Sequence, residues 1–383
     1  MTRGAALVAA SLFDAALVAE ELELSPERVL MTALEAPDAR LARDTSIGEV
    51  SHRVVTFTWE GAPIRLLIDR SSEFPTRVEV TRAYPTNVFW AMWGDIRFVT
   101  VWSAWSLEPG GLWYPRQRTV TLNGAAFREY VVTGLELDVP VPPDSVAMPD
   151  SIRAASLAAV VDTGKARPSA AAAVRLTPVS LADNVVLYQG GYQAAAVRQA
   201  DGVVVLEAPE SNAKSRAVLA DVSTRWPGVR VKAVVTTSPM WMHIGGVREY
   251  AARRIPIYVL DVNAGVVRSL VAARHRQAPD SLERRRVAPV VRTVSSMMTL
   301  GTGAERIELR PARGQHASAM LMAWMPALRL LYASDVIVPD SFEPMFARGN
   351  RAELAWIVRR EGLDVDRVFA EHLPAVPWAD VVR

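Results

Sequence analysis

Cysteine is absent from the 383 residues, which excludes disulfides, thiolate metal sites and cysteine nucleophiles. That absence leaves the compartment open, because an extracytoplasmic protein need not carry disulfides. Lysine is nearly absent as well: of 43 Lys and Arg side chains, only Lys165, Lys214 and Lys232 are lysine. With 41 acidic side chains the formal charge is only +2, so the arginine excess reads as a compositional habit rather than a polyanion footprint. The densest basic run, Arg274 to Arg292, contains Asp280 and Glu283 and no aromatic residue to stack on a base. It reads as a solvated helix–loop face, and no nucleic-acid partner is expected. No apolar run approaches the ~20 residues of a membrane-spanning helix. Neither Gly-X-X-X-X-Gly-Lys nor Gly-X-Gly-X-X-Gly occurs, and there is no Gly-X-Ser-X-Gly, so the usual phosphate-cradling loops and the serine-hydrolase elbow are missing.

Half of the residues are apolar and 22% are charged, enough to bury substantial cores. At this length two domains are the expectation. The start has a short basic end and an apolar stretch from Ala5 to Phe13, as a signal peptide would. Asp14 interrupts it, however, and Ala15 to Leu22 continues with acidic residues, which favours an amphipathic helix of the first domain. From Ser51 to Asp138 the pattern is one of short alternating strands. Val54–Trp59 and Ile64–Asp69 flank a turn at Glu60-Gly61-Ala62, Thr76–Arg82 alternates with period two, and Phe98–Trp102 and Phe127–Val132 continue the series. Several such strands in succession predict an antiparallel sheet packed on an N-terminal helix, over residues 1–140. Six of the eleven tryptophans fall here. They are read either as core or as an apolar ligand surface formed by Trp90, Trp93, Trp102 and Trp105. The order of elements, with Asp69 followed by Phe74-Pro75-Thr-Arg-Val-Glu79, resembles the half-barrel of bacterial lipoprotein-carrier proteins. That resemblance implies a cell-envelope, extracytoplasmic setting and an apolar partner; the residues themselves leave a cytoplasmic location open.

A segment rich in Pro and Ala, residues 141–177, reads as a linker, with one helix predicted over Ser151–Val161. Residues 178–383 then alternate buried strands and helices. Asp201-Gly-Val-Val-Val-Leu-Glu-Ala-Pro209 is a turn and a buried strand ending in Glu207, and Ser211 to Arg225 is helical with a capping serine. Val231–Thr237 is the next strand, followed by the loop Ser238-Pro-Met-Trp-Met-His243 and by Gly245-Gly246 at the head of a helix. Leu330-Leu-Tyr-Ala-Ser-Asp335 and a strand ahead of Glu371-His372 complete the series.

These motifs, in this order, resemble the metallo-β-lactamase superfamily. The resemblance implies an α+β fold, with a four-layer αββα sandwich after the tryptophan-rich sheet domain. The family places His-X-His-X-Asp-His where this chain has Ser238 to His243. Carried over position by position, one ion would need residues 238, 240 and 316, and only His316 is a histidine. The second would need 242, 243 and 372, where His243 and His372 remain, and Asp335 stands at the bridging carboxylate. Ser238, Met240 and Met242 are poor zinc ligands. Of the five histidines, His52, His243, His275, His316 and His372, three fall on ligand positions. Two readings follow. In one, the sandwich has lost its two-metal centre and binds a small or apolar molecule without hydrolysing it. In the other, a residual hydrolase uses one divalent metal, zinc, on His243, His372 and Asp335 with His316 nearby to activate water. A Cu(I) site at the Met-Trp-Met-His run is a third and lesser reading, since local packing explains the same residues.

Overall fold

The computed structural model describes residues 20–85, 87, 89–137, 147–154, 174–339 and 347–382, with positions 2–3, 6–7, 18, 139–140 and 142. Most of the helices expected over Ala5–Leu22 and Ser151–Val161 lies outside the described residues. The chain divides into two compact units, Met1–Ala83 with Asp95–Ser169, and Tyr84–Gly94 with Ala170–Arg383.

The first unit holds a seven-stranded antiparallel sheet in sequence order. Its strands are β1 Arg40–Ile47, β2 Val50–Trp59, β3 Ala62–Asp69, β4 Pro75–Ala83, β5 Asp95–Leu107, β6 Trp113–Leu122 and β7 Ala125–Val131. Two hairpins are set by residues that tolerate positive φ: Glu60-Gly61 (46° and 77°) and Asn123-Gly124 (49° and 87°). The first fixes the register Phe57 to Ile64 and Trp59 to Ala62. Val54, Ile64, Leu66, Val80, Ile96 and Trp102 are buried in this unit, and helix α1, Pro26–Glu35, buries Val29 and Ala33. Strand β1 carries almost no buried residue, which is why its sequence gives no alternating signal.

The second unit has two sheets. The first contains β8 Thr177–Ala182, β9 Val185–Gln189, β10 Ala194–Gln199, β11 Gly202–Leu206, β12 Val231–Thr236, β13 Ile257–Leu260 and β14 Val291–Val294, paired in that order. It is antiparallel as far as β11 and parallel from β11 to β14. The second sheet contains β15 Met298–Leu300, β16 Ile307–Pro311, β17 Leu321–Met325, β18 Leu330–Tyr332, β19 Arg367–Phe369 and β20 Val376–Pro377, with only β18 and β19 parallel.

Alternate residues show how the layers stack. Val203 and Val205 of β11 join a core with Val218 and Val222 of helix α2 (Asn212–Arg225), and with Val267 and Leu270 of a later helix at Ala264–Ala272. Val204 and Leu206 point the other way, into a core shared with Ile307, Leu309, Leu321 and Tyr332 of the second sheet. A third core joins Met322, Leu331 and Val368 to Leu354, Ile357 and Val358 of helix α3, Ala347–Arg360. The result is a four-layer αββα sandwich. Because both faces of β11 are covered, its sequence is an unbroken apolar run rather than an alternating one. No helix among the described residues is long and apolar enough to cross a membrane.

Candidate functional site

Four strands of the sandwich end beside one another in polar residues. Glu207 follows β11, Thr237 follows β12, Ser334 and Asp335 follow β18, and Glu371 and His372 follow β19. Two of these positions hold left-handed backbone without being glycine: Glu207 at φ 72° and Ser334 at φ 54°. Such strain persists where the surroundings over-determine the residue, and it concentrates at sites.

His243 is delivered by the segment after β12. The expected loop over 238–243 is extended at its start and turns helical at Trp241–Ile244. Ala208 N–H donates to His243 O at 3.1 Å and Gly246 N–H to Ala208 O at 2.8 Å, tying this turn to the chain beyond β11. The two glycines are required by that approach. A Cβ on Gly245 would lie 2.4 Å from Glu210 O, and one on Gly246 would lie 2.0 Å from Ser215 Oγ.

The His243 ring is fully buried and both of its nitrogens face carboxylates. Nε2 is 2.7 Å from Asp335 Oδ2, and Nδ1 is 3.2 Å from Glu207 Oε2, too far out of line for a hydrogen bond. Burial alone would depress the imidazole, but Glu207, Glu371 and Asp335 outweigh it and hold its pKa well above the ordinary value. Burial would likewise raise Asp335, yet His243 keeps that carboxyl below its usual value. For Glu371 burial wins, reinforced by Glu207, and its pKa is raised well above the usual range.

The hydrogen bonds agree with that proton inventory. Tyr332 OH is 2.9 Å from Glu207 Oε1 and 3.3 Å from Glu371 Oε2. One phenol proton cannot serve two carboxylates. A protonated Glu371 donating to the tyrosine oxygen, with Tyr332 donating to Glu207, satisfies the chain. Glu207 also accepts from the Thr237 hydroxyl, which lies 2.7 Å from Ser334 Oγ. Gln193 fixes the strand end beneath: its N–H donates to Glu371 O at 3.0 Å and its Nε2 to Ala370 O at 3.1 Å.

On the other side of His243 a cavity of about 330 Å³ is lined by Met240, Met242, His316, Met320, Asp335, Asn350, Glu353 and His372. His372 Nε2 is 3.8 Å from Asp335 Oδ1, and Nδ1 is 3.3 Å from Gly191 O. His316 is exposed at the rim, where its N–H (3.0 Å) and that of Ala317 (3.2 Å) donate to Glu353 Oε1 of α3. Gly314 permits this wrap, since a Cβ there would meet Glu353 Oε1 at 1.7 Å. Ser238 is buried, and its hydroxyl accepts from Met240 N–H at 3.4 Å. Thus His243, Asp335 and His372 are adjacent, and His316 lines the cavity with Asp335 and His372.

A two-metal centre does not fit this donor set, because the side chains at 238, 240 and 242 supply a hydroxyl and two thioethers. His243 Nε2 and Asp335 Oδ2, 2.7 Å apart, are hydrogen-bonded to each other, and an ion bound by both would have to replace the proton between them. A different group could hold one cation: Glu207, His243 and Glu371 bring ligand atoms within 4.8 Å of one another, all buried. A cation there would have to displace protons from His243 and Glu371. Glu371, Tyr332, Thr237 and Glu353 are absent from the set expected from sequence. Only Glu371 carried a signal, as a carboxylate next to His372 at a strand end.

The four tryptophans suggested as a ligand surface are divided between the units. Trp102 is 2% exposed in the first sheet, so it contributes no surface, and Trp105 stacks on Phe74 with ring centroids 4.6 Å apart. Trp90 and Trp93 belong to the segment grouped with the second unit, where Trp93 packs against the helix-side core. In the first unit a pocket lined by Leu24, Phe98 and Phe127 is only about 30 Å³, room for about one water and not for an acyl chain.

No family model and no curated protein matches the chain. Among solved structures it is similar to a metallo-β-lactamase from Pontibacter korlensis, at 14% identity and a TM-score of 0.43, over 54% of this chain and 95% of that one. It is similar also to DIM-1 metallo-β-lactamase, at 13% identity and a TM-score of 0.43, over 54% of this chain and 94% of that one. At such values the αββα assignment rests on the sheet orders and the three cores described above.

Proposed function

We propose that the second unit is a metallo-β-lactamase-like sandwich in which a proton-carrying cluster has replaced a two-metal hydrolytic centre, and that it binds a small molecule rather than hydrolysing one. The observation that carries this reading is the His243–Asp335 hydrogen bond of 2.7 Å, which spends two would-be metal ligands on each other. The side chains at 240 and 242, on the wall of the neighbouring cavity, are thioethers, which are poor zinc ligands and cannot act as a base. A positive imidazolium between carboxylates supplies the charge balance that a metal supplies in a hydrolase.

A second reading is favoured by one arrangement, the buried Glu207–His243–Glu371 group: a single divalent ion, zinc, held there or by His243, His372 and Asp335, would make a residual hydrolase. Elemental analysis of protein purified without chelator separates the two. The binding reading expects no stoichiometric metal and no rise in melting temperature on adding zinc. One equivalent of zinc or iron, lost in His243→Ala or His372→Ala, would replace it with the hydrolase reading.

A further inference from the structure

We propose that the cavity beside His372 binds a small primary ammonium compound with an apolar body and a hydrogen-bonding amide or carbonyl group. This rests on the binding reading above and names the ligand class. In a chain with forty arginines (43 basic side chains less three lysines), the cavity lining among the described residues includes two carboxylates, Asp335 and Glu353, and no Arg or Lys. Glu353 is committed to the N–H groups of His316 and Ala317, so its charge sets the local potential while its oxygens are already taken. Asp335 is divided. Oδ2 bonds His243, whereas Oδ1 is buried and has no hydrogen-bond partner among the described residues, with His372 Nε2 facing it at 3.8 Å, beyond hydrogen-bond reach. A buried carboxylate oxygen left without a donor is costly, and an ammonium N–H would satisfy it.

A second polar group lines the same space. Asn350 is 9% exposed, and its side-chain amide has no partner among the described residues. It would pair with a carbonyl or amide of the ligand. Beside His316 and His372, the rest of the described wall is apolar: Ala317, Val336 and Val338 with Met240, Met242 and Met320, whose flexible thioethers adapt to an apolar body.

Size argues for an organic cation over a metal ion. At about 330 Å³ the cavity holds roughly ten waters' share of liquid volume, whereas an ion bonded at ~2 Å would leave most of it empty. The volume sits at the small end of organic ligand pockets, roughly 300–1,000 Å³.

Titration calorimetry of the full chain with three related probes tests this. Phenylalaninamide has the ammonium, the amide and the ring; phenethylamine lacks the amide, and 3-phenylpropionamide lacks the ammonium. We expect phenylalaninamide to bind tightest, phenethylamine several-fold weaker, and 3-phenylpropionamide at least tenfold weaker. Asp335→Asn should lower affinity at least tenfold for the two ammonium probes and leave the third unchanged. Met320→Trp, a half-buried position, should abolish binding of all three, and it keeps the test alive if Asp335→Asn fails to fold. Equal affinity for the three probes, no binding by any of them, or unchanged affinity in Met320→Trp would overturn the inference. Those outcomes are distinct from failure of the binding reading, which stoichiometric metal would cause whatever the amines do.

Discussion

Each unit carries a buried glutamate, Glu79 within a strand and Glu371 just past a strand end, and the two are stabilised in opposite ways. Glu79 of the first unit is 8% exposed and meets three guanidinium groups, Arg65 at 3.0 Å, Arg77 at 2.8 Å and Arg97 at 2.9 Å. Burial would raise its pKa, but Arg97, Arg77 and Arg65 overcome that and hold it below the usual value. Glu371 of the second unit is fully buried, and the hydrogen-bonding group that meets it is the Tyr332 hydroxyl. Its pKa moves upward, so a proton does for Glu371 what fixed cations do for Glu79. Charge in the first sheet is balanced by side chains that never titrate. In the sandwich it is balanced by protons, on His243 and Glu371, that solvent or a metal can remove.

The sharpest way to break that contrast is His243→Ala. It leaves Glu207 and Asp335 buried without their cation, and removing one partner of a buried pair costs about 3–5 kcal/mol. Urea denaturation followed by sandwich tryptophans such as Trp324 should show a loss of that size. A loss under about 1 kcal/mol would mean that the imidazole is neutral and the cluster is not held by charge.

Solution pH sharpens the comparison with a smaller effect. His243 and Glu371 have folded pKa values above their ordinary 6.5 and 4.5. The folded sandwich therefore binds more protons than the unfolded chain. The Glu371 contribution declines as pH rises from about 4.5, and the His243 contribution is complete below about 6.5 and lost as pH climbs through the folded value. Glu79 runs the other way: its contribution is present above about 4.5 and lost as pH falls. Asp335, also depressed, gives the sandwich an acid-side loss too, so the alkaline limb is the diagnostic one. Hydrogen exchange corrected for intrinsic rates, followed from about pH 6 to about pH 9, should lose protection in Gly202–Leu206 and keep it in Ala62–Asp69. Parallel loss in both strands would remove the distinction.

How much of this the sequence carried depends on how each residue reports its surroundings. The hairpin at Glu60-Gly61 and the strand Gly202–Leu206 are legible, because turn chemistry and covered faces leave patterns in neighbouring residues. Arg40–Ile47 is illegible, being an almost wholly exposed strand with nothing to alternate. In the site, Glu207, His243, Asp335 and His372 are recognisable as polar residues at the ends of apolar runs. Their role is not, since the same histidine and aspartate can serve a metal or bond each other, and the 2.7 Å contact between them is a tertiary fact. Glu353, 37 residues from His316 in the chain, meets it only through the fold. The four tryptophans are divided between the units for a related reason: ring burial is legible from composition, but which core receives each ring is a tertiary fact.

The smallest expected effect is the most discriminating. Glu371→Gln replaces a protonated carboxyl with a neutral amide of the same shape, which can still donate toward Tyr332, so stability at neutral pH should change by less than about 1 kcal/mol. Glu79→Gln removes a charge from among three arginines. Two of them, Arg65 and Arg97, are 48% and 47% exposed, so solvent screening holds that cost near about 1 kcal/mol as well. The pH dependence separates variants that stability at one pH does not. Glu371→Gln should lessen the alkaline decline because the ionisable group is gone, whereas Glu79→Gln should leave that decline intact and shrink the acid one. If Glu371→Gln left the alkaline limb unaltered while His243→Ala removed it, the proton would belong to the imidazole alone. Tyr332 would then donate to Glu371 as well as to Glu207 in alternation, and a cation at Glu207–His243–Glu371 would have a single proton to displace.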